Sequence, residues 1–237
     1  MTALLGAVGS GLARVDVREK VEGRAQFIAD LYRPGMLFGA ILGSPHAHAR
    51  IKSYDIGEAL AVPGVHCVIT GDDFGDHRMG AFIKDEHAIA KHKVRYVGEP
   101  VAAVAAETEA GARLAARLVK VAYEELPAIL TPEDALNPGS AIIHEELDSY
   151  FKVFDTGSCG NICSRTDFSQ GDASVWTKCE VVVEGNFTTQ PQAHVSLEPC
   201  GALAETDAAG RITLWSANQS VFRVQANVCE SHGIPMA

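Results

Sequence analysis

Residues 98–125 constrain the fold more than any other part of the chain, because their hydrophobic pattern changes period twice. Residues 101–106 are small and apolar throughout, which is typical of a strand covered on both faces. A helix capped by Thr108 follows, in which apolar residues recur every four positions, at Ala110, Leu114 and Leu118. From Val119 apolar residues alternate with polar ones. Strand, helix and strand in so short a stretch predict a compact α/β layer whose crossover helix packs on the sheet.

Turn signals divide the preceding region into further elements. A strand is predicted at residues 36–42, after the turn at Pro34-Gly35, and another at Val65–Thr70, after Pro63-Gly64. Asp55 is expected to cap a short helix that runs through Leu60.

The pattern becomes irregular after Glu125 and returns near residue 179. Residues 179–187 predict a strand, residues 202–205 and 211–215 a hairpin, and the last segment a helix that stops at Gly233. We therefore predict an arm at residues 1–16, a first domain at 17–127, a linker at 128–150 and the first part of a second domain at 151–237. The hairpin and helix lack partners for a full sheet, so we expect another polypeptide segment to complete this second domain.

Charge and cysteine usage exclude several classes of protein. The formal net charge is -10, and no local Lys/Arg cluster offers a surface for nucleic acid. The apolar run at residues 3–8 is too short to span a membrane, and no basic region precedes it. Six dispersed cysteines fit a reducing compartment. We expect a cytoplasmic protein that binds neither nucleic acid nor membranes.

Two pairs of possible metal ligands are present. Cys159 and Cys163 lie in a Gly/Ser/Asn-rich loop, and no second pair at zinc spacing follows them. His46 and His48 are spaced to share one face of a strand, but no third ligand stands beside them. Structural roles remain the competing interpretation for both pairs, and no metal-ligating side chain is assigned.

Three polar residues near the predicted hairpin can carry chemistry. His194 and Glu198 would face the same side of a strand, where an imidazole and a carboxylate can move protons. The competing interpretation is that Glu198, followed by Pro199, ties down a loop. Gln219 lies between the last strand and the last helix, where its side-chain amide can donate a hydrogen bond to an oxo or anionic ligand.

Several segments, taken in order, resemble the molybdopterin-binding large subunit of the molybdenum hydroxylases, the xanthine dehydrogenase and aldehyde oxidoreductase family. They span nearly the whole chain: KVEGRAQFIAD at residues 20–30, SPHAHARI at 44–51, YVGEPVAAV at 96–104, YEELP at 123–127, QAHVSLEP at 192–199 and WSANQ at 215–219. The resemblance implies an α+β protein: an α/β hammerhead domain at residues 17–127, followed by an incomplete, mixed α/β molybdenum-cofactor-binding domain.

The resemblance also implies an activity and a cofactor. Members hydroxylate an electron-poor carbon with oxygen that derives from water, and the pterin dithiolene rather than protein side chains holds the molybdenum. By position, Gln219 corresponds to the glutamine that hydrogen-bonds an apical molybdenum ligand. Its neighbours Asn218 and Ser220 would help to line the pterin site. The implied cofactor is molybdenum-molybdopterin, in the cytosine dinucleotide form, and the implied substrate is an N-heteroaromatic or aldehyde-type molecule.

Other elements of the family pattern are missing from these residues. The Gly-Gly-x-Phe-Gly loop, the substrate-orienting arginine and the catalytic glutamate would follow Ala237, and no ferredoxin-like cysteine run is present. The resemblance therefore implies a shared active site, with FAD and a 2Fe–2S cluster on partner subunits, and a chain that is inactive alone. Two alternatives remain: a hammerhead scaffold that only mediates assembly, and an independent hydrolase that uses His194 and Glu198.

Overall fold

The computed structural model describes residues 11 and 13–236. They form two compact units. The smaller unit consists of the chain up to Pro34 together with Thr189–Gln219, and the larger consists of Gly35–Thr188 with the segment from Ser220 onward. The predicted arm at residues 1–16 lies largely outside the described residues and remains a prediction.

Helices and strands are mixed, which confirms the predicted α+β class. In chain order they are α1 (Val17–Val21), β1 (Phe38–Gly43), β2 (Ala49–Asp55), α2 (Gly57–Leu60), β3 (Val65–Thr70), β4 (Lys93–Val94), β5 (Pro100–Ala106), α3 (Glu109–Leu118), β6 (Lys120–Glu125), α4 (Pro132–Leu136), β7 (Ala202–Thr206), β8 (Ile212–Ser216) and α5 (Val221–His232). Short 3-10 turns occupy Ile28–Asp30, Gly71–Asp73, Leu147–Ser149 and Ala173–Lys178. No helix among residues 11 and 13–236 is long and apolar enough to cross a membrane.

The larger unit contains two three-stranded antiparallel sheets. One has the order β1-β5-β3 and the other β4-β2-β6. The predicted packing of the crossover helix on a sheet is confirmed, because α3 packs against β5, but β6, which follows α3, belongs to the other sheet. Local periodicity identified each strand, whereas its hydrogen-bonding partner is set by contacts far away in sequence.

Strand β5 is buried on both faces, as its continuous apolar run predicts. Ala102 and Val104 pack in a cluster with α3, whereas Val101 belongs to a second cluster with Ala49 and Val94 of the other sheet. The strand is thus the layer on which both parts of the core meet.

Helix α3 begins as predicted but buries a different face. The Thr108 side chain accepts a hydrogen bond from the Gly111 amide at 3.1 Å, so the cap is confirmed. Leu114 is 53% exposed, whereas Ala115 is 0% exposed. The buried stripe consists of Ala112, Ala115 and Ala116. Methyl side chains allow the helix to approach the alanine-rich strand closely, so alanine rather than leucine spacing marks the packed face.

The other predicted elements are confirmed in part. The strand predicted at residues 36–42 is β1, shifted by one or two residues, and Val65–Thr70 is β3. Asp55 ends β2, and Ile56 rather than Asp55 is the N-cap of α2. The Asp55 carboxylate still accepts a hydrogen bond from the Gly57 amide at 3.0 Å, in an Asx turn.

The segment predicted as a linker is folded onto the larger unit. Leu147 and Tyr150 are 8% and 6% exposed and form a buried cluster with Ile83. The Asn161 side chain donates to Ala141 O at 2.9 Å and accepts from Ile143 N at 3.0 Å. Buried apolar side chains and satisfied backbone groups fix this region despite its irregular sequence.

The strand predicted at residues 179–187 does not form in the described structure. The segment belongs to no helix or sheet, and Val183 and Phe187 are 89% and 93% exposed. Alternation supplies the side-chain pattern of a strand, but a ladder also requires a neighbouring backbone edge.

The packing of α3 on β5 predicts a contrast between neighbouring positions. Ala115→Leu should lower the free energy of unfolding by about 1–3 kcal/mol, because extra methylene groups cannot enter this interface without strain. Leu114→Ala, on the exposed side of the same helix turn, should change it by less than about 0.5 kcal/mol. Chemical denaturation of both variants measures the difference. Equal stabilities would contradict the observed helix orientation.

Candidate functional site

Asn218 and Gln219 follow β8, the second strand of the β7–β8 hairpin. The strands pair from Ala202–Ser216 to Thr206–Ile212, as the sequence predicted within one residue. The turn is closed by Asp207, whose carboxylate accepts from the amides of Ala209 and Arg211 at 2.9 and 3.0 Å. Hydrogen bonds from Arg211 hold the pKa of Asp207 below its usual value.

Contacts within the smaller unit fix this hairpin. The Arg33 guanidinium lies 4.9 Å from the ring centroid of Trp215 and pairs with Glu205 at 3.2 Å. The guanidinium thus bridges both strands, through an aromatic face on β8 and a carboxylate on β7. The orientation of the chain leaving β8 is set by these contacts.

The three predicted site residues are consecutive and exposed. Beyond β8, the Ala217 amide donates to Gly201 O at 3.1 Å, and the Asn218 side-chain amide donates to Ser216 O at 3.0 Å. Gln219 lies in a bend. Ser220 is the N-cap of α5, with extended backbone angles of φ -145° and ψ 92°.

Helix α5 begins at Val221, directly after these three residues in the sequence. The helix has 12 residues, and its first turn contains no acidic side chain. The first backbone amides of a helix lack intrahelical acceptors and carry partial positive charge. The helix N-terminus and the Ser220 hydroxyl are donors suited to oxo or phosphate groups, and the side-chain amides of Asn218 and Gln219, which precede Ser220 in the chain, are donors of the same kind. Gly233 ends the helix in the left-handed conformation at φ 63°, as predicted.

The structure places His194 and Glu198 in a segment without a strand. Residues 189–199 form no strand, so the shared strand face expected for the two side chains is wrong. Glu198 Oε1 accepts a hydrogen bond from the Ile28 amide at 3.0 Å, whereas His194 is exposed. The interpretation of Glu198 as a residue that ties down a loop fits this contact.

The two candidate metal-ligand pairs lie in loops. His46 and His48 precede β2 instead of lying on a strand. His48 Nδ1 lies 2.7 Å from Pro127 O, and His46 packs edge-on against Tyr123. Cys159 and Cys163 are exposed free thiols in a loop. Among residues 11 and 13–236, no group of three or more His, Cys, Asp or Glu side chains is placed to hold a metal ion.

A cleft of about 960 Å³ lies within the larger unit. Its wall includes Lys84 and Glu230, whose charged groups meet at 2.8 and 2.9 Å. The same wall contains Tyr150, whose hydroxyl donates to Glu146 at 3.1 Å and whose ring lies under Arg78. No sequence pattern marked these residues, because the Lys84–Glu230 partners are 146 positions apart.

Comparison with known protein families matches both parts of the chain. Residues 22–127 match the family "Aldehyde oxidase and xanthine dehydrogenase, a/b hammerhead domain", and residues 154–237 match "Molybdopterin cofactor-binding domain". The chain belongs to the molybdenum hydroxylase family. Its residues correspond to the N-terminal part of the large subunit, so the hammerhead domain and the partial cofactor-binding domain are confirmed.

Relatives of this molybdenum hydroxylase chain extend over nearly all of it. A probable xanthine dehydrogenase subunit of Bacillus subtilis (strain 168) is 34% identical over 224 residues, which are 94% of this chain and 28% of the relative. The nicotinate dehydrogenase large molybdopterin subunit of Eubacterium barkeri is 33% identical over 230 residues, or 96% of this chain and 51% of the relative.

A solved structure is also similar over nearly all of this chain. Quinoline 2-oxidoreductase from Pseudomonas putida 86 superimposes with a TM-score of 0.77 at 33% identity, over 96% of this chain and 29% of that chain. The chain thus spans 28–51% of the length of these proteins.

The hydrogen bond to Ile28 predicts a framework role for Glu198. Glu198→Ala should speed hydrogen exchange of the Ile28 amide at least about tenfold, because a hydrogen bond to a charged acceptor contributes about 1.5–3 kcal/mol. Glu198→Gln keeps an acceptor oxygen and should retain most of the protection. Exchange measured by NMR or mass spectrometry compares the two variants. An Ile28 amide that exchanges equally fast in the wild type and in Glu198→Ala would contradict this role.

Proposed function

We propose that this chain is part of the molybdopterin-binding subunit of a molybdenum hydroxylase and that it contributes Gln219 to the active site. Three features support the proposal: the match of residues 154–237 to a molybdopterin-binding domain, the position of Gln219 between β8 and α5, and the donor character of its neighbours. The observation that carries most weight is that an exposed amide side chain directly precedes the cap of a helix whose first turn bears no carboxylate.

The residues present fit such a cofactor. Molybdopterin carries phosphate, and its metal carries oxo-type ligands, so the groups to be bound are anionic hydrogen-bond acceptors. Asn218 and Gln219 offer side-chain N–H donors, Ser220 offers a hydroxyl, and the first turn of α5 offers backbone amides. A carboxylate in that turn would repel the ligand, and none is present in residues 221–223.

Each residue has a distinct proposed task. Gln219 would donate a side-chain N–H to a ligand of the molybdenum. Asn218 and Ser220 bind the pterin from either side of Gln219 in the chain. Preorganised donors of this type stabilise negative charge that increases during a reaction, because they need no reorientation as the charge develops. When bound, the cofactor supplies the redox chemistry of a hydroxylation that takes its oxygen from water.

The proposed substrate is an N-heteroaromatic or aldehyde-type molecule with an electron-poor carbon. Names among the relatives, xanthine dehydrogenase, nicotinate dehydrogenase and quinoline oxidoreductase, support this class. We further propose the cytosine dinucleotide form of the cofactor, FAD and 2Fe–2S partner subunits, and a cytoplasmic location. The six free cysteines support a reducing compartment.

The proposed active site also includes residues outside this sequence. The matched region covers 51% of one relative and 28% of the other, so both relatives are much longer than the region they share with this chain. We propose that polypeptide corresponding to their remaining length carries the Gly-Gly-x-Phe-Gly loop and the catalytic glutamate. These 237 residues alone are then inactive.

Replacement of Gln219 tests the proposal. In the assembled, cofactor-loaded enzyme, Gln219→Ala should reduce kcat about 100-fold, as is typical for loss of one preorganised donor. Gln219→Glu, which keeps the shape but adds a negative charge and removes the donor, should reduce it further. Gln170→Ala removes an exposed amide elsewhere in the chain and should leave kcat unchanged.

Steady-state kinetics with molybdenum content measured for each variant separates lost chemistry from lost cofactor. If Gln219→Ala assembles and turns over like the wild type, the chain is better described as a scaffold that mediates assembly.

A further inference from the structure

An ion pair between Lys84 and both carboxylate oxygens of Glu230 joins the C-terminal half of α5 to the hammerhead part of the larger unit. Lys84 Nζ lies 2.9 Å from Glu230 Oε1 and 2.8 Å from Oε2, and the two side chains are only 18% and 37% exposed. A charge-assisted contact to both carboxylate oxygens, partly shielded from water, is stronger and more directional than a surface pair.

The position of Lys84 is itself fixed by the fold. Its amide donates to Phe151 O at 2.9 Å, and the preceding residue, Ile83, is 9% exposed in a cluster with Leu147 and Tyr150. The ammonium group therefore extends from backbone that is held by a hydrogen bond and by a buried neighbouring side chain. Such restraint reduces the entropy lost when the ion pair forms.

Glu230 stands where helix electrostatics disfavour it. It belongs to the last turn of α5, where backbone carbonyls carry partial negative charge and a carboxylate is unfavourable. Helix formation alone does not account for an acidic residue here. Pairing with Lys84 does, because it offsets that repulsion and joins the helix to the hammerhead part.

Further contacts hold the same end of the helix and leave the other end exposed. Ser231 is 5% exposed, and the His232 ring meets the Phe74 ring edge-on at 5.5 Å. At the opposite end, Val221 and Phe222 are 73% and 82% exposed. The helix is thus held near its C-terminus, and Val221 lies about 14 Å from Glu230 along the helix axis, because nine residue steps separate them.

We infer that Lys84, through Glu230, is a positioning residue for the proposed molybdopterin site: the ion pair sets where the N-terminus of α5 and its cap, Ser220, are presented to the cofactor. This inference rests on the function proposed above. It gives the hammerhead domain an indirect part in cofactor binding, because that domain holds the helix whose N-terminus is proposed to meet the cofactor. If the cofactor binds only molecules in which α5 is held by the ion pair, its apparent affinity is the intrinsic affinity multiplied by the fraction of molecules in that state.

The test compares Lys84→Met with its rescue variants in the complete, cofactor-loaded enzyme. Lys84→Met should speed exchange of the amides of residues 228–232 about tenfold, since it leaves Glu230 without its charged partner. It should also weaken cofactor affinity, by up to the same factor, as measured by fluorescence of the released pterin. Lys84→Arg and the charge swap Lys84→Glu with Glu230→Lys should restore both. Lys120→Met removes an exposed ion pair with Glu58 and should change neither.

The measurements distinguish a positioning role of the Lys84–Glu230 ion pair from a purely structural role and from no role in holding α5. Unchanged amide exchange in Lys84→Met would show that the ion pair does not dock the helix, and faster exchange with unchanged cofactor affinity would show a structural role only. Either result overturns the inference while the effect of Gln219→Ala on kcat still supports the proposed function. A wild-type enzyme that binds no molybdenum cofactor overturns both, and the exchange measurement, which needs no cofactor, still reports whether the pair docks α5.

Discussion

The burial of β5 on both faces is the constraint on which the larger unit depends. Ala102 and Val104 are 0% and 2% exposed beneath α3, while Val101, at 0%, packs with residues of the second sheet. A strand in this position must be apolar at every residue and small on the helix side, because the alanine stripe of α3 leaves no room for longer side chains. The two sheets and the helix are joined through this strand, which contributes to two of the three buried clusters found among the described residues.

A second constraint is the way α5 is held. Its last turn contacts the hammerhead part through Lys84, Glu230 and the ring pair of Phe74 and His232. Its first turn follows Ser220, which is its N-cap and one of the residues proposed to bind the cofactor. Rigid support for a binding residue commonly comes from groups that never touch the ligand. In this chain the groups that contact the last turn of α5, Lys84 and Phe74, come from the hammerhead part.

Residues 179–187 have the sequence pattern of a strand without a strand in the described structure. Their alternating pattern is that of a strand, yet their apolar side chains are exposed and no ladder forms within the described residues. The contrast agrees with the family comparison, in which the relatives are at least about twice as long as the region they share with this chain. A strand needs a neighbouring edge as well as a suitable sequence.

Sequence by itself determined the local elements and the family. The Thr108 cap, the Asp207–Gly210 turn, the Gly233 stop and the run at β5 follow from backbone geometry and hydrogen bonding over a few consecutive residues, so their signals are local. Gln219 was selected through an ordered set of motifs, and its role remains a proposal. Tertiary structure alone decided that β5 and β6 belong to different sheets, that Ala115 rather than Leu114 faces the core, that Glu198 binds the Ile28 amide, and that Lys84 meets Glu230. These outcomes depend on contacts between residues far apart in the chain, and a periodic pattern specifies which face is apolar without specifying what covers it.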